Sequence, residues 1–215
     1  MNIKGAIFDM DGTLIDSMGY WQDAAGDYIR TKGKEPSDDL GKRFLTLGLT
    51  NIYPDMKREY GIDDSLDEVS RGIYAIMEKN YDRVDKKPYV EDMLKAFKSM
   101  GVKMCIASAT NSDLARRVLK RLGIVDYFDE VFCCKDVGRG KRHPDVYDYA
   151  LNYLGTSKDD TLVFEDALFA VKTLKANGYK AVGIEDVNSA SDKDEILSLA
   201  DFYIDSYKNW EKILK

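Results

Sequence analysis

Ala6-Ile7-Phe8-Asp9-Met10-Asp11-Gly12-Thr13 is the stretch on which the fold turns. Three consecutive apolar residues read as a short buried strand. Two carboxylates, Asp9 and Asp11, follow at once, with Gly12 behind them. Carboxylates next to a core are costly unless a cation or a reaction intermediate uses them. A polar turn is the plain alternative. A calcium loop would need a third oxygen ligand at the next alternate position and a bidentate Glu beyond it. Thr13 supplies an oxygen, but Leu14-Ile15 does not continue such a loop. Taken alone the motif leaves turn and site both open, so the decision passes to the rest of the chain.

After Asp16 the pattern becomes helical. Trp21, Ala24, Ala25, Tyr28 and Ile29 recur at helical spacing, with Asp16 or Ser17 available as N-cap. Helical text continues to Tyr81, with breaks expected at 33–37, at Pro54 and at Gly61, and a loop over 46–51. Strand and helix alternate again from Pro88. Strands are expected over 102–107, 131–133, 161–164, 181–184 and 202–204. Helices lie between them: one through Val90, Met93, Leu94 and Phe97, one from Ser112, one over 144–154 and one ending at Asn177-Gly178. A last helix carries Trp210, Ile213 and Leu214. The spacing therefore predicts an α/β fold. A Rossmann-like parallel-sheet core is formed by 1–15 and 87–215, and an all-helical cap domain over 16–86 is inserted into it. Open α/β sheets bind ligands at the carboxyl ends of their strands, so an insert leaving there is expected to act as a lid.

The 215 residues are 44% apolar and 33% charged, with a formal net charge of −6. That is enough apolar material for a core without staples. The acidic balance disfavours nucleic acid and anionic membranes as partners, but allows a small anionic substrate at a locally positive site. Residues 1–5 contain no leader-like apolar core, and no apolar run is long enough to span a bilayer. Cys105, Cys133 and Cys134 lie in strand-like text without metal-ligand spacing, and read as buried thiols. These features predict a soluble, cytoplasmic protein. Oligomeric state leaves no mark on the sequence.

Four segments, taken in order, settle the reading of Asp9. Asp9-Met10-Asp11-Gly12-Thr13 resembles the first signature of the haloacid dehalogenase-like hydrolase superfamily. Ile106-Ala107-Ser108-Ala109-Thr110 resembles the second. Lys141 with Pro144-Asp145-Val146-Tyr147 resembles the third, and Val163-Phe164-Glu165-Asp166 the fourth. A helical insert between the first two is similar to the subfamily of phosphoglycolate phosphatases and β-phosphoglucomutases. The sequence departs from the usual pattern at Arg142, Ala167 and Ala170, where Pro, Ser and Gly are common.

The resemblance implies a Mg²⁺-dependent phosphatase acting on a small phosphorylated metabolite. Asp9 would be the nucleophile and Asp11 the general acid/base. Ser108, Ala109 and Lys141 would bind the transferring phosphate. Mg²⁺ would be held by Asp9, the backbone carbonyl of Asp11 and Asp166, with Glu165 in an outer-sphere role or as a structural partner of Lys141. Arg139 and Arg142 flank Lys141 in a basic loop, and only the order of signatures selects Lys141 among the three. The lone His143 is expected to be structural or exposed.

In the insert, Met18, Trp21 and Gln22 follow the nucleophile most closely, and Trp21 and Thr50 are candidate substrate contacts. Core packing is the competing role for Trp21, and a solvated helix face for Lys57 and Arg58. In β-phosphoglucomutases a His near the Trp21 position links acid/base chemistry to cap closure. Trp21 cannot do this, which favours hydrolysis over mutase activity. A non-catalytic regulator of the same fold would be expected to have lost Asp9, Asp11 or Asp166, and all three are present.

Overall fold

The structure, a computed structural model, describes residues 3–214. Met1, Asn2 and Lys215, which the sequence reading assigns to the core, lie outside the described residues. Six strands, β1 (Gly5–Phe8), β2 (Lys103–Ser108), β3 (Glu130–Cys133), β4 (Thr161–Glu165), β5 (Lys180–Ile184) and β6 (Phe202–Ile204), form one sheet in the order β3-β2-β1-β4-β5-β6. Every pairing is parallel. β1 is central because it is buried at all four residues and carries no polar side chain. The order reverses between β1 and β4, and such a switch point opens a crevice at the carboxyl ends of the two strands.

Alternate residues feed opposite faces of the sheet. Ile7, Cys105, Ala107, Val163 and Ala181 join one core with Val146, Tyr147, Ala150, Val171 and Leu174. On the other face Phe8 stacks on Phe164 at 4.3 Å between ring centroids, and Phe97 lies within 6.4 Å of both rings. Burial on both faces explains why these strands read as unbroken apolar runs.

The chain divides into two compact units, residues 1–16 with 85–215, and residues 17–84. The second is wholly helical: α1 (Met18–Thr31), α2 (Leu40–Leu47), α3 (Leu49–Tyr60) and α4 (Leu66–Asn80). Gly72 of α4 lets that helix press against α1, since a Cβ there would sit 2.2 Å from the Tyr28 ring. Ser65 and Glu68 form a capping box that starts α4. Ser17 precedes α1, but its hydroxyl makes no capping bond to it.

Two expectations in this region are corrected. The break expected at Pro54 does not occur, because α3 runs through it. A proline there removes one backbone bond, while Ile52 and Met56, both fully buried, anchor the helix on either side. The loop expected over 46–51 is instead the end of α2 and the start of α3, joined at Gly48.

The first unit adds α5 (Val90–Ser99), α6 (Ser112–Arg121), α7 (Cys134–Val137), α8 (Asp145–Leu154), α9 (Leu168–Ala176) and α10 (Lys193–Leu199). Its C-terminal segment Tyr207–Leu214, expected to be an ordinary helix, is a 3-10 helix kinked at Asn209. Beyond the kink, Trp210 and Ile213 are three residues apart, which a three-residue turn places on one side. Tyr207 and Ile213 are buried, and Trp210 packs edge-on to Phe97 at 5.7 Å.

Tyr89, just before α5, has φ 64° and is the one non-glycine with positive φ among the described residues. Its side chain is about half exposed, so little packing offsets the backbone cost. Tyr89→Gly should therefore raise stability by about 1 kcal/mol. Thermal denaturation checks this, and a fall in Tm would show that the Tyr89 ring contributes more than its backbone costs.

Candidate active site

β1 delivers Asp9 to the switch point. The Asp9 N–H continues the sheet ladder by donating to the Phe164 carbonyl at 3.0 Å. Met10 N–H donates to Asp9 Oδ1 at 2.7 Å, and Lys141 Nζ lies 2.5 Å from the same oxygen. Gly12, at φ 79°, then turns the chain, and Leu14 and Ile15 N–H both donate back to the Met10 carbonyl. A side chain at Gly12 would be strained in that conformation. The loop closes where Ile15 pairs with Lys86, and Asp16 N–H donates to the Asp85 carbonyl. The exit to the helical unit and the return from it are thus pinned together beside Asp9 and Asp11.

The ends of β2 and β4 meet this loop. Ser108 closes β2, fully buried, and its Oγ accepts from Thr110 N–H at 3.0 Å. Thr110 Oγ1 in turn donates to Asp11 Oδ2 at 2.8 Å. Ala109, between them, is exposed. Asn111 Oδ1 accepts from Asp113 and Leu114 N–H, so it caps α6 and leaves Ser108 out of that role. Glu165 and Asp166 close β4, both essentially buried. Asp166 Oδ1 accepts from Thr13 Oγ1 at 2.9 Å, and Tyr207 Oη donates to the Thr13 carbonyl at 2.9 Å.

Of the three cations in the basic loop, one reaches the site. Lys141, 6% exposed, lies between Asp9 and Glu165, 2.7 Å from Glu165 Oε1. Arg139 pairs with Asp145 at 2.9 Å, and Arg142 lies over the Phe169 ring at 4.7 Å. His143 is exposed, with Nδ1 3.4 Å from Arg139. Within the helical unit Trp21 stacks near Phe44 and meets Tyr74 and Tyr81 edge-on, which gives it a packing role. Thr50 is exposed at the start of α3. Arg58 pairs with Asp55, and Lys57 lies over the Tyr53 ring at 5.7 Å.

The electrostatics follow from three carboxylates sharing one lysine. Burial raises the Asp9 pKa well above its ordinary value; Lys141 opposes this, while Glu165, Asp166 and Asp11 add to it. Burial, then the charges of Glu165 and Asp186, push Asp166 up to about 7. Burial works against the charge of Lys141, but Asp9 and Glu165 outweigh it and hold the ammonium well above its ordinary range. Tyr147 donates to Glu165 Oε1 at 2.6 Å, and burial together with Glu165 keeps its phenol protonated.

Asp9, Glu165 and Asp166 each offer an oxygen within 4.8 Å of the others. Glu165 Oε1 already accepts from Lys141 and Tyr147, yet the buried Oε2 has no hydrogen-bond partner. An all-oxygen donor set, with excess negative charge and an orphaned carboxylate oxygen, fits a hard divalent cation. A cavity of about 390 Å³ at the ends of β5 and β6, lined by Lys87, Glu185, Asp186 and Tyr207 among others, does not include Asp9 or Ser108 in its walls.

The sequence reading missed Tyr147, Thr110 and Tyr207 as site residues. Tyr147 and Thr110 lie inside the quoted signatures, so the signal was present without a role attached. Tyr207 has no local signal and is brought in only by the sheet.

The profile of the haloacid dehalogenase-like hydrolase family matches residues 3–178. A phosphorylated carbohydrates phosphatase of Thermotoga maritima is 27% identical over 181 residues, covering 84% of each chain. A phosphoglycolate phosphatase of Neisseria gonorrhoeae is 29% identical over 195 residues, covering 85% of this chain and 80% of its own. A β-phosphoglucomutase of Clostridium difficile superimposes with a TM-score of 0.80 over 99% of this chain and 96% of its own, at 21% identity; that likeness is one of fold. With the ends of β1, β2 and β4 meeting at the Asp9 loop, the family match across most of the chain places this protein in the haloacid dehalogenase-like hydrolase family.

Proposed function

We propose that this hydrolase is a Mg²⁺-dependent phosphatase of a small phosphorylated metabolite, a sugar phosphate or similar monoester. The observation that carries the reading is Asp9 itself, a carboxylate at the switch point, fixed by Met10 N–H and Lys141. The phosphatase relatives support the same reaction class.

Asp9 attacks phosphorus in line with the leaving oxygen, forming an aspartyl-phosphate. Asp11 gives a proton to the leaving alkoxide. It then takes a proton from the water that hydrolyses the aspartyl-phosphate, which releases phosphate, frees the Asp9 carboxylate and leaves Asp11 protonated as at the start. Ser108 and the Ala109 N–H bind oxygens of the phosphoryl group, and Lys141 adds a positive charge. Asp9, Asp166 and the Asp11 carbonyl would hold Mg²⁺, with Glu165 Oε2 bound directly or through a water. The cation supplies charge that offsets the repulsion between carboxylates and phosphate.

We assign choice of the leaving group to residues 16–86, which leave the first unit directly after the loop carrying Asp9 and Asp11 and rejoin it where Lys86 pairs with Ile15. Thr50 is the candidate contact there. The three free, buried cysteines suit a reducing, cytoplasmic setting, and no helix among the described residues is long and apolar enough to cross a membrane.

Phosphate release from a panel of sugar phosphates, phosphoglycolate and p-nitrophenyl phosphate is the direct test. The expected result is hydrolysis that needs added Mg²⁺ and stops with chelator. Conversion of a hexose 1-phosphate to the 6-phosphate without net phosphate release would replace hydrolysis with a mutase reaction. Absence of turnover across the panel would favour a non-catalytic role.

A further inference from the structure

The geometry points to Thr110 as the residue that positions Asp11 for proton transfer. This rests on the proposed acid/base role of Asp11. Thr110 is 1% exposed, and its Oγ1 donates to Asp11 Oδ2 at 2.8 Å. Its backbone N–H donates to Ser108 Oγ at 3.0 Å, which folds the chain back after β2 and aims the side chain across to β1. A β-branched side chain has few χ1 choices, so the hydroxyl is held where the turn puts it.

The four residues after the β2 core divide the work. Ser108 has its Oγ tied by a donor, so its own O–H points elsewhere. Ala109 is exposed. Asn111 is committed to capping α6. Thr110 gives its hydroxyl proton to Asp11. An acid/base carboxylate works only from the right place and direction, and a displacement near 1 Å costs about 10²-fold. By fixing one carboxylate oxygen, Thr110 fixes the plane in which the other can meet the leaving oxygen or the attacking water.

Thr110→Val is the informative change. It keeps shape and backbone, and with them the Ser108 bond, and removes only the hydroxyl. The readout is the single-turnover rate of phenol release from phenyl phosphate and from p-nitrophenyl phosphate. Nitrophenolate leaves without a proton; phenolate leaves far better with one. Thr110→Val should slow phenyl phosphate by about 10- to 100-fold, leave the p-nitrophenyl phosphate burst little changed, and leave KM for both near wild type. Thr110→Ser, which restores the hydroxyl, should recover most of the phenyl phosphate rate.

Equal losses on the two substrates would reduce Thr110 to a structural role and overturn the proposal. So would wild-type rates on both, or a Ser variant as impaired as the Val variant. Thr110→Ala read on the same two substrates replaces the Val variant if Val proves unfolded. Asp9→Asn separates the two levels. If it still turns over, the aspartyl-phosphate reading fails whatever Thr110 does; if it is inactive while Thr110→Val matches wild type, only the positioning role is lost.

Discussion

Asp9→Asn should yield a folded protein that has lost at least about 10⁴-fold in turnover of p-nitrophenyl phosphate. The substitution is close to isosteric. Asn Oδ1 can still accept from Met10 N–H and Lys141, the two bonds that orient the wild-type carboxylate. What disappears is the nucleophile's charge and, with it, the ability to form an aspartyl-phosphate. The same change should not destabilise the metal-free protein. Burial, with Glu165, Asp166 and Asp11 adding to it, holds the Asp9 carboxyl well above its ordinary pKa. A carboxyl raised in the folded state stabilises the fold below its unfolded pKa and loses that contribution as pH rises through its folded pKa. Asp9→Asn should therefore melt at or above the wild-type temperature at pH 8 in chelator, and show no such gain at pH 4. Loss of activity without loss of stability separates a missing nucleophile from a collapsed site. Quenching wild type in acid during turnover of radiolabelled substrate should leave label on the chain that hydroxylamine removes, and the Asn variant should carry none. Turnover by Asp9→Asn comparable to wild type would place the nucleophile elsewhere.

Asp9 and the Glu165-Asp166 pair were legible because each follows a short apolar run, Ala6-Ile7-Phe8 and Leu162-Val163-Phe164. Ile7 and Val163 feed the same core, so the apolar runs before Asp9 and Asp166 had to be unbroken and their ends easy to see. Choosing Lys141 over Arg139 and Arg142 was possible from the order of signatures alone. The physical reason appears only in space, where Lys141 is buried between two carboxylates while the arginines take Asp145 and Phe169. Tyr147 was hidden because an aromatic residue at helical spacing reads as core, and its hydroxyl matters only once Glu165 is placed opposite. Thr110 and Asp11 are joined through space, across β2 and β1, which a local reading cannot register. Pro54 shows the opposite failure. A local rule that breaks helices was overridden by the burial of Ile52 and Met56 around it.

Lys141→Met carries the largest expected stability cost. Lys141 is within 2.7 Å of both Asp9 and Glu165, and both are buried with it. Methionine fills much of the same space, so packing survives and the charge does not. Removing one partner from a buried ion pair costs about 3–5 kcal/mol, because the other partners stay buried without compensation. The pH dependence identifies this cause. Lys141 has a pKa raised above its ordinary value, so its stabilisation is fully present below that ordinary value, throughout the neutral range. Two carboxyls it offsets are raised instead, Asp9 well above its ordinary value and Asp166 to about 7 even with Lys141 in place. Without the lysine they rise further. The deficit of Lys141→Met should then be small near pH 4, where Asp9 and Asp166 are protonated in the fold, and should grow toward pH 8. Mg²⁺ should recover part of it at pH 8, since a cation among Asp9, Glu165 and Asp166 would replace some of the lost positive charge. Adding Glu165→Gln to Lys141→Met should also recover stability, because one uncompensated charge is removed. A double-mutant cycle that gives simple additivity would deny the coupling. Activity behaves differently: Lys141→Met should lose about 10²- to 10³-fold in turnover, and neither Mg²⁺ nor Glu165→Gln should restore it. A cation can balance the carboxylates, but it would not replace the hydrogen-bond donor that Lys141 is proposed to offer the phosphate. Recovery of turnover together with stability would show that Lys141 holds the site together and does not act on the substrate.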